Sequence, residues 1–486
     1  VNQTSRTKTF AEILQALPPV RDVKGLRQEI HDKWKESGHK LIVLDDDPTG
    51  VQTVHDISVI TDWSKEWLRR GLADDHHVLY ILTNTRSYEP DRTEAINREI
   101  MSNLTEVAAE MGIDFSVVSR GDSTLRGHYP LEMDVIHDEL HQLTGQDISG
   151  HLIIPAFFEG GRHTLGDVHY LREGDHLVPV HETEFAKDVV FGFSDAYLPQ
   201  WIVEKGGARK MEEVETITLE DIRIGGVERV LDILLAVRGN APVIVNAFSY
   251  EDLDIVSIAL LKAMEAGRKF LYRTAASFVK SFAGIGDRST LSAEEMTAEA
   301  GKYHGGLIVV GSHTKKTTEQ LNELNEQHSV RTIEINVANL LDDHLRDQEL
   351  ANVCRMVEES IASGQDTVIY TSRDVVTVAN KADNLAISQR ISASLAGVVR
   401  SLAITPKFIV AKGGITSSDI ATQGLEIKKA KVLGQAAPGV PVWFTGSEAH
   451  FSEIPYIVFP GNVGDRFTLA GIISKIKSIG SEKEED

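Results

Sequence analysis

Cysteine is nearly absent from this chain of 486 residues; Cys354 stands alone. A single thiol excludes an intrachain disulfide framework and any zinc site built from several cysteines. Basic charge is also scarce: 50 Lys and Arg face 72 Asp and Glu, a formal net charge of -22. Such a balance opposes nonspecific attraction to phosphate backbones and anionic membranes, so neither nucleic acid nor membrane is expected as a partner. Long apolar runs are missing as well. Nowhere do 18 uncharged apolar residues follow one another, and the polar first 40 residues hold no apolar leader core, which makes cytoplasm the expected location. Two familiar phosphate-binding patterns are absent too. There is no G-x-x-x-x-G-K-[ST] loop, and Gly284-Ile285-Gly286 follows a helix-like segment rather than a strand, which disfavours Walker and Rossmann sites.

What is present is ordinary globular material, 42% hydrophobic and 25% charged, in a length that suits two large domains. Short β-rich runs recur between longer helix-like stretches: 41–44, 78–82, 115–118, 152–154, 243–245 and 270–272, then 307–310, 332–335, 368–370, 408–410 and 457–459. The alternation predicts an α/β fold of two domains, each a mostly parallel sheet flanked by helices. Residues 1–37 are expected to form an N-terminal extension, 38–285 the first domain, 286–305 a glycine-bearing linker, and 306–486 the second domain. Within the extension, Phe10 to Leu17 is amphipathic and suits packing on the body or on a second subunit, so a homodimer is allowed. Phe191 to Arg238 is less periodic and reads as an insertion or helical excursion.

Binding residues of parallel sheets gather where strands open into loops at their carboxyl ends, and the polar motifs lie there. In the first half, the run 41–44 enters Asp45-Asp46-Asp47-Pro48-Thr49-Gly50, where adjacent carboxylates call for Mg²⁺, a hydroxyl-rich ligand or a neighbouring Arg. Strand alternation gives Asp45 and Asp46 different tasks, one gripping and one serving as base. The run 115–118 enters Ser119 to His128; Arg126 offers a planar fork to a carboxylate, and Asp122, Ser123 and Thr124 suit hydroxyls. The bland alternative is a capped helix start with a surface Arg. The run 152–154 opens into a loop with Glu159, Arg162 and His163, and 78–82 ends near Arg86, a second anion contact or a plain surface charge. His163 and His169 lack a third ligand at a telling spacing for a metal. The second half is rich in glycine instead. Gly311 and Ser312, the loop Gly413-Gly414-Ile415-Thr416-Ser417, and the loop Gly461-Asn462-Val463-Gly464 all follow strand runs, as a nucleotide cradle would, although tight turns need glycine with or without a ligand.

Taken in order, these motifs make the chain from about residue 38 to 478 resemble the four-carbon acid sugar kinase family. Asp122 to Gly127 is its most specific element, joined by Asp45 to Gly50 and Pro155 to Arg162. The resemblance implies a sugar-binding first domain, a nucleotide-binding second domain, and an anionic acid sugar and ATP with Mg²⁺ as partners. It implies phosphorylation of the terminal C4 hydroxyl of threonate, erythronate or an oxo-tetronate. Arg126, with Arg86 or Arg162, would anchor the carboxylate; Asp122, Ser123 and Thr124 would contact hydroxyls; Asp46 or Asp45 would take the proton. ATP would lie against Gly311, Ser312, Gly413, Gly414, Thr416, Ser417, Gly461, Asn462 and Gly464. The chain departs from the family pattern at Ile415, where an acidic residue is usual, and at Phe459-Pro460, where Lys-Ser is usual. Two other classes use the same acidic strand end: a metal-dependent hydrolase or aldolase on an acid sugar, and a noncatalytic acid-sugar sensor.

Overall fold

A computed structural model describes residues 9–297, 303–372, 381–461 and 463–481. The chain divides into two units, one made of residues up to Thr53 with Trp63–Asp287, the other of Val54–Asp62 with Arg288 onward. The strands in chain order are β1 (Lys40–Asp45), β2 (Ile57–Ile60), β3 (Val78–Leu82), β4 (Phe115–Arg120), β5 (Gly150–Ile154), β6 (Arg162–Leu165), β7 (Val168–Glu173), β8 (His176–Pro179), β9 (Glu215–Ile217), β10 (Ala241–Val245) and β11 (Phe270–Thr274). They continue with β12 (Leu307–Val310), β13 (Arg331–Ile335), β14 (Thr367–Thr371), β15 (Ile409–Lys412), β16 (Lys429–Ala437), β17 (Val440–Thr445) and β18 (Pro455–Phe459).

In the first unit the order β3-β1-β4-β11-β5-β10-β9 is parallel throughout. Residues of β1, β3 and β5 are buried on both faces, which is why these strands read as unbroken apolar runs rather than as alternating ones. Register aligns their ends: Asp45 pairs with Leu82 and Arg120, while Thr274 pairs with Arg120 and Ile154. The loops after β1, β3, β4, β5 and β11 therefore leave the sheet at one level. The chain leaves β1 for β3 on one side and reaches β4 on the other, so the topology reverses beside Asp45. Antiparallel β6, β7 and β8 form a separate small sheet from the loop after β5.

The second unit begins with parallel β13-β14-β12-β15-β18 and ends with antiparallel β17, β16 and β2. Its core gathers Ile308, Val310, Val410, Ile457 and Phe459 with Leu469, Ile473 and Ile476 of the last helix. Val310 pairs with Tyr370 on one side and Lys412 on the other, which sets the reversal point of this sheet at the end of β12.

The amphipathic start packs on the first unit. Helix Phe10–Ala16 opens with a capping box between Thr9 and Glu12, and Phe10, Ile13 and Leu17 rest on Leu177, Leu219 and Phe248. The segment after Phe191 contains helices Leu198–Lys205 and Gly226–Ala236 around the edge strand β9. Arg223 and Asp252 form a two-pronged pair at 2.7 and 2.8 Å with side chains only 3% and 1% exposed. Arg223 also donates to the Pro18 carbonyl at 2.8 Å, and Asp252 accepts from the Phe248 and Ser249 amides, each at 3.0 Å. Among the described residues no helix is long and apolar enough to cross a membrane.

Breaking a buried pair leaves one charge uncompensated. Asp252→Ala is expected to cost about 3–5 kcal/mol in urea unfolding, whereas Arg223→Met combined with Asp252→Leu should cost much less than the sum of the single changes.

Candidate active site

Strand ends in the first unit present carboxylates and guanidiniums to each other out of water. Asp45 and Asp46 leave β1 buried. Arg120, the last residue of β4, donates from Nη1 to Asp45 Oδ1 at 3.2 Å and lies 3.6 Å from Asp46 Oδ1. Arg86, from the turn after β3, bridges three acids: Nη1 donates to Asp122 Oδ1 at 2.9 Å, Nη2 donates to Asp47, and Nε lies 3.9 Å from Asp46 Oδ2. Arg126 grips Asp122 through Nε at 3.0 Å and Nη2 at 3.3 Å. Arg273, near the end of β11, donates from Nη2 to the Arg126 carbonyl at 2.9 Å.

This packing leaves no room for side chains at neighbouring glycines. A Cβ at Gly121 would lie 1.5 Å from Arg273 Nη1, and one at Gly50 would lie 2.0 Å from Asp45 Oδ2. Glycine at these positions lets the backbone close over the ions.

The carboxylates divide by environment. Burial lifts the Asp45 carboxyl to about 8, against the pull of Arg120 and aided by Asp46 and Asp47. Burial raises Asp46 as well, opposed by Arg86, Arg120 and Arg273. Burial alone would raise Asp122, but Arg126 and Arg86 hold it well below the usual carboxylate range. Asp47 is likewise lowered, because Arg86 and the Thr49 hydroxyl outweigh its burial. Both carboxylate oxygens of Asp46 are buried without a hydrogen-bond partner. Arg162 is the cationic counterpart: among the described residues no carboxylate pairs with it, its Nη1 donates to the Gly160 carbonyl, and its Nε is buried without a partner. Burial lowers its pKa, with Asp122 opposing and Arg126 adding to the fall.

The structure thus brings Asp45, Asp46, Arg86, Asp122 and Arg126 into one ion-pair network, and the fields of Asp122 and Arg126 reach Arg162. Thr124 donates its hydroxyl to Asp122, and its amide does so at 3.1 Å, which shapes the turn. The Ser123 carbonyl accepts from His169 Nε2 at 2.8 Å, given the tautomer that protonates that nitrogen. His169 is further tied to the Thr164 hydroxyl at 3.0 Å, and His163 stacks on Phe248 with a ring separation of 4.5 Å. Sequence reading passed over Arg120, Arg273 and Glu132. Glu132 is buried, accepts from the Thr85 hydroxyl at 2.7 Å, and is raised by burial against the pull of Arg273. A usable signal existed for the two arginines: each is a charge at the carboxyl end of a largely buried parallel strand.

In the second unit a cavity of about 250 Å³ opens at the end of β12. Gly311, Ser312, Gly413, Gly414, Thr416 and Gly461 line it together with the apolar Val337, Ile387, Ile391, Leu395 and Ile415. A Cβ at Gly311 would meet Thr416 Oγ1 at 2.0 Å, and Gly413 has φ +126°. The Gly311 and Ser312 amides donate to the Lys412 carbonyl at 3.2 Å each, and Gly413 donates to Phe459 at 2.9 Å, so the three loops are stitched together. Thr314 caps helix Lys315–Gln327 by accepting from the Thr317 amide. Ser417 and Gly464 are not in the lining. The Ser417 hydroxyl turns inward to the Ala411 carbonyl at 2.8 Å, and Gly464 abuts Thr468 at the start of the last helix. Asn462 lies outside the described residues. Lys412, passed over in the sequence, is fully buried, donates to the Pro460 carbonyl at 2.7 Å and is lowered to about 7 by burial with Lys316 adding.

Comparison with known proteins follows the same division. The family model described as "Sugar-binding N-terminal domain" matches residues 41–282, and that described as "Nucleotide-binding C-terminal domain" matches 307–469. The chain is 24% identical over 414 residues to D-erythronate kinase of Heliobacterium modesticaldum (strain ATCC 51547 / Ice1), covering 83% of this chain and 84% of that protein. A Salmonella typhimurium LT2 protein provisionally termed a tRNA synthase shares the fold with a TM-score of 0.64 and 17% identity, over 89% of this chain and 98% of that one. Haemophilus influenzae protein HI1011, of the DUF1537 family, does so with a TM-score of 0.61 and 18% identity, over 90% and 100%. At such identities these two likenesses concern fold alone.

The raised Asp45 carboxyl carries a pH signature. Its folded value of about 8 exceeds the unfolded value of about 3.9, so the native state holds the extra proton between them. The stability this contributes is full below the unfolded pKa and is lost as pH rises through the folded one. Urea midpoints from about pH 5 to about pH 9 should fall more steeply in the wild type than in Asp45→Asn.

Proposed function

The chain belongs to the four-carbon acid sugar kinase family, and from that premise we propose that it transfers the γ-phosphoryl group of ATP to the C4 hydroxyl of threonate, erythronate or an oxo-tetronate. We take 38–285 without Val54–Asp62 as the acid-sugar-binding domain and 306–486 with that segment as the nucleotide-binding domain, acting in the cytoplasm; of the expected linker 286–305, Leu291 and Met296 are buried in the second unit's core. The observation that carries the reading is Asp46, a buried carboxylate at a strand end with neither oxygen hydrogen-bonded. A proton acceptor needs such a vacancy, and a raised pKa strengthens it as a base. Asp45, by contrast, is engaged by Arg120 and crowded against Gly50. Asp46 is therefore the base and Asp45 the residue that grips Arg120.

Arg162, which no carboxylate pairs among the described residues, and the Nη1 edge of Arg126 are the cations fitted to the substrate carboxylate. Arg86 is less suited, since Asp47 and Asp122 already hold it. The substrate hydroxyls fall to Asp122, Ser123 and Thr124. The glycine-lined cavity suits ATP, because Gly311, Gly413, Gly414 and Gly461 leave backbone open to phosphates and the apolar lining residues offer a face to a base. Bound at the phosphates of ATP, Mg²⁺ supplies charge neutralisation there; the acidic turn does not fit the ion, its carboxylates being matched by arginines. Among the described residues no group of three or more His, Cys, Asp or Glu is set to hold a metal. In the reaction the C4 oxygen bonds to the γ-phosphorus, the bond from that phosphorus to the β–γ bridging oxygen breaks, ADP departs, and the hydroxyl proton passes to Asp46.

ADP release with Mg-ATP is expected for one member of a panel of threonate, erythronate and oxo-tetronate stereoisomers, and not without acceptor. Asp46→Asn should lower kcat on the order of 10²- to 10⁴-fold with little change in the KM for ATP. Arg162→Ala should raise the KM for the acid, and Gly311→Ala that for ATP alone. Turnover without nucleotide would instead indicate a hydrolase or aldolase, and binding without product a sensor.

A further inference from the structure

Arg126 has two nitrogens committed to Asp122, but its third faces a different acid. Nη1 meets Asp188 Oδ2 at 3.5 Å, and the Phe185 ring lies 5.0 Å from the guanidinium carbon. Asp188 follows the short turn Glu184–Lys187. Its two oxygens have separate tasks. Oδ1 accepts from the Val190 and Phe191 amides at 2.9 and 3.0 Å and so holds the loop's own turn, while Oδ2 reaches Arg126. Beyond it Val189 and Val190 are 69% and 70% exposed.

We propose that Asp188 is a built-in competitor for Arg126, a side chain that occupies the guanidinium edge taken by the substrate carboxylate and returns to it when product leaves. The proposal rests on the reading that Arg126 and Arg162 hold that carboxylate. Three features carry it. The Asp188 contact is longer than either contact Asp122 makes, and the Asp188 side chain is 26% exposed, so exchanging Arg126 for water costs little. A carboxylate spanning Arg126 and Arg162 gains charge-assisted bonds to two guanidiniums where Asp188 makes one. The turn bonds through Oδ1 do not involve Arg126, so the exchange leaves the loop's local hydrogen bonds intact. The consequence is an acid affinity set below what the arginines alone would give, and a product that is released more readily than it would be from an uncontested Arg126.

Asp188→Asn keeps an oxygen for the Val190 and Phe191 amides and removes the charge; Asp188→Ser is a second variant should the first fold poorly. Glu184→Gln removes a neighbouring exposed charge as a control. Titration calorimetry on the full chain, without nucleotide, would measure binding of malonate and of D-erythronate. We expect Asp188→Asn to bind each roughly two- to fivefold more tightly than wild type, the factor a partly exposed ion pair contributes, with Glu184→Gln like wild type. In turnover the KM for the acid should fall by the same factor and the KM for ATP should stay. Equal malonate affinity in variant and wild type, including no binding by either, overturns the proposal, as does equal tightening by Glu184→Gln. Malonate tightening with no tetronate bound or phosphorylated by any variant upholds the competitor and sinks the acid-sugar reading instead.

Discussion

Neutralising charge without water is the constraint on which the first unit depends. A parallel sheet buried on both faces ends in acids, and an ion taken from water is tolerable only beside its opposite. Arg86, Arg120, Arg126 and Arg273 supply that opposite from the turns and strands around β1; the Arg273 guanidinium fills the volume that a side chain at Gly121 would need, and the Asp45 carboxylate fills that at Gly50. Each ion thus depends on several neighbours, and the network is held by strands whose register places their ends at one level. What the network leaves incomplete is informative. An acid whose two oxygens accept no hydrogen bond and an arginine that no carboxylate pairs among the described residues are what it leaves over.

The second unit solves a different problem with different means. Its cavity is bounded by backbone at Gly311, Gly413 and Gly461 and by aliphatic side chains. Amides of successive loops bond to carbonyls of the neighbouring strand end, so the glycine loops are braced by one another rather than by ions. Lys412 adds a buried brace of its own from β15 to the Pro460 carbonyl.

Sequence carried most of the parallel strands well because burial on both faces makes strands such as β1, β3 and β18 continuous apolar runs, and each run from 41–44 to 457–459 lies on or overlaps a strand; the parallel edge strand β9, too short and exposed for such a run, had none. The antiparallel parts were harder. β16 alternates buried and exposed residues and contains register shifts, and β6 to β8 are short and polar, so neither makes such a run. Motif residues of the acid network were legible because Asp, Arg and Gly crowd directly after strands. Arg120 and Arg273 were less so, since each belongs to a strand rather than to the loop after it and acts on residues far away in sequence. Asp188 had no local signal at all: its partner lies 62 positions earlier. In the glycine loops sequence identified the neighbourhood but not the direction of each side chain, which is why Ser417, facing inward, was grouped with Thr416.

The short strand Ile57–Ile60 is part of the second unit although it precedes most of the first. Neither unit is therefore a single uninterrupted length of polypeptide. A gene fragment beginning at Arg288 would encode β16 without the strand that pairs with its outer edge, exposing a row of amides and carbonyls of the kind that recruits other chains. During synthesis, too, the second unit's sheet has its first strand made some 250 residues before its next, and that strand must wait while the rest of the first unit emerges.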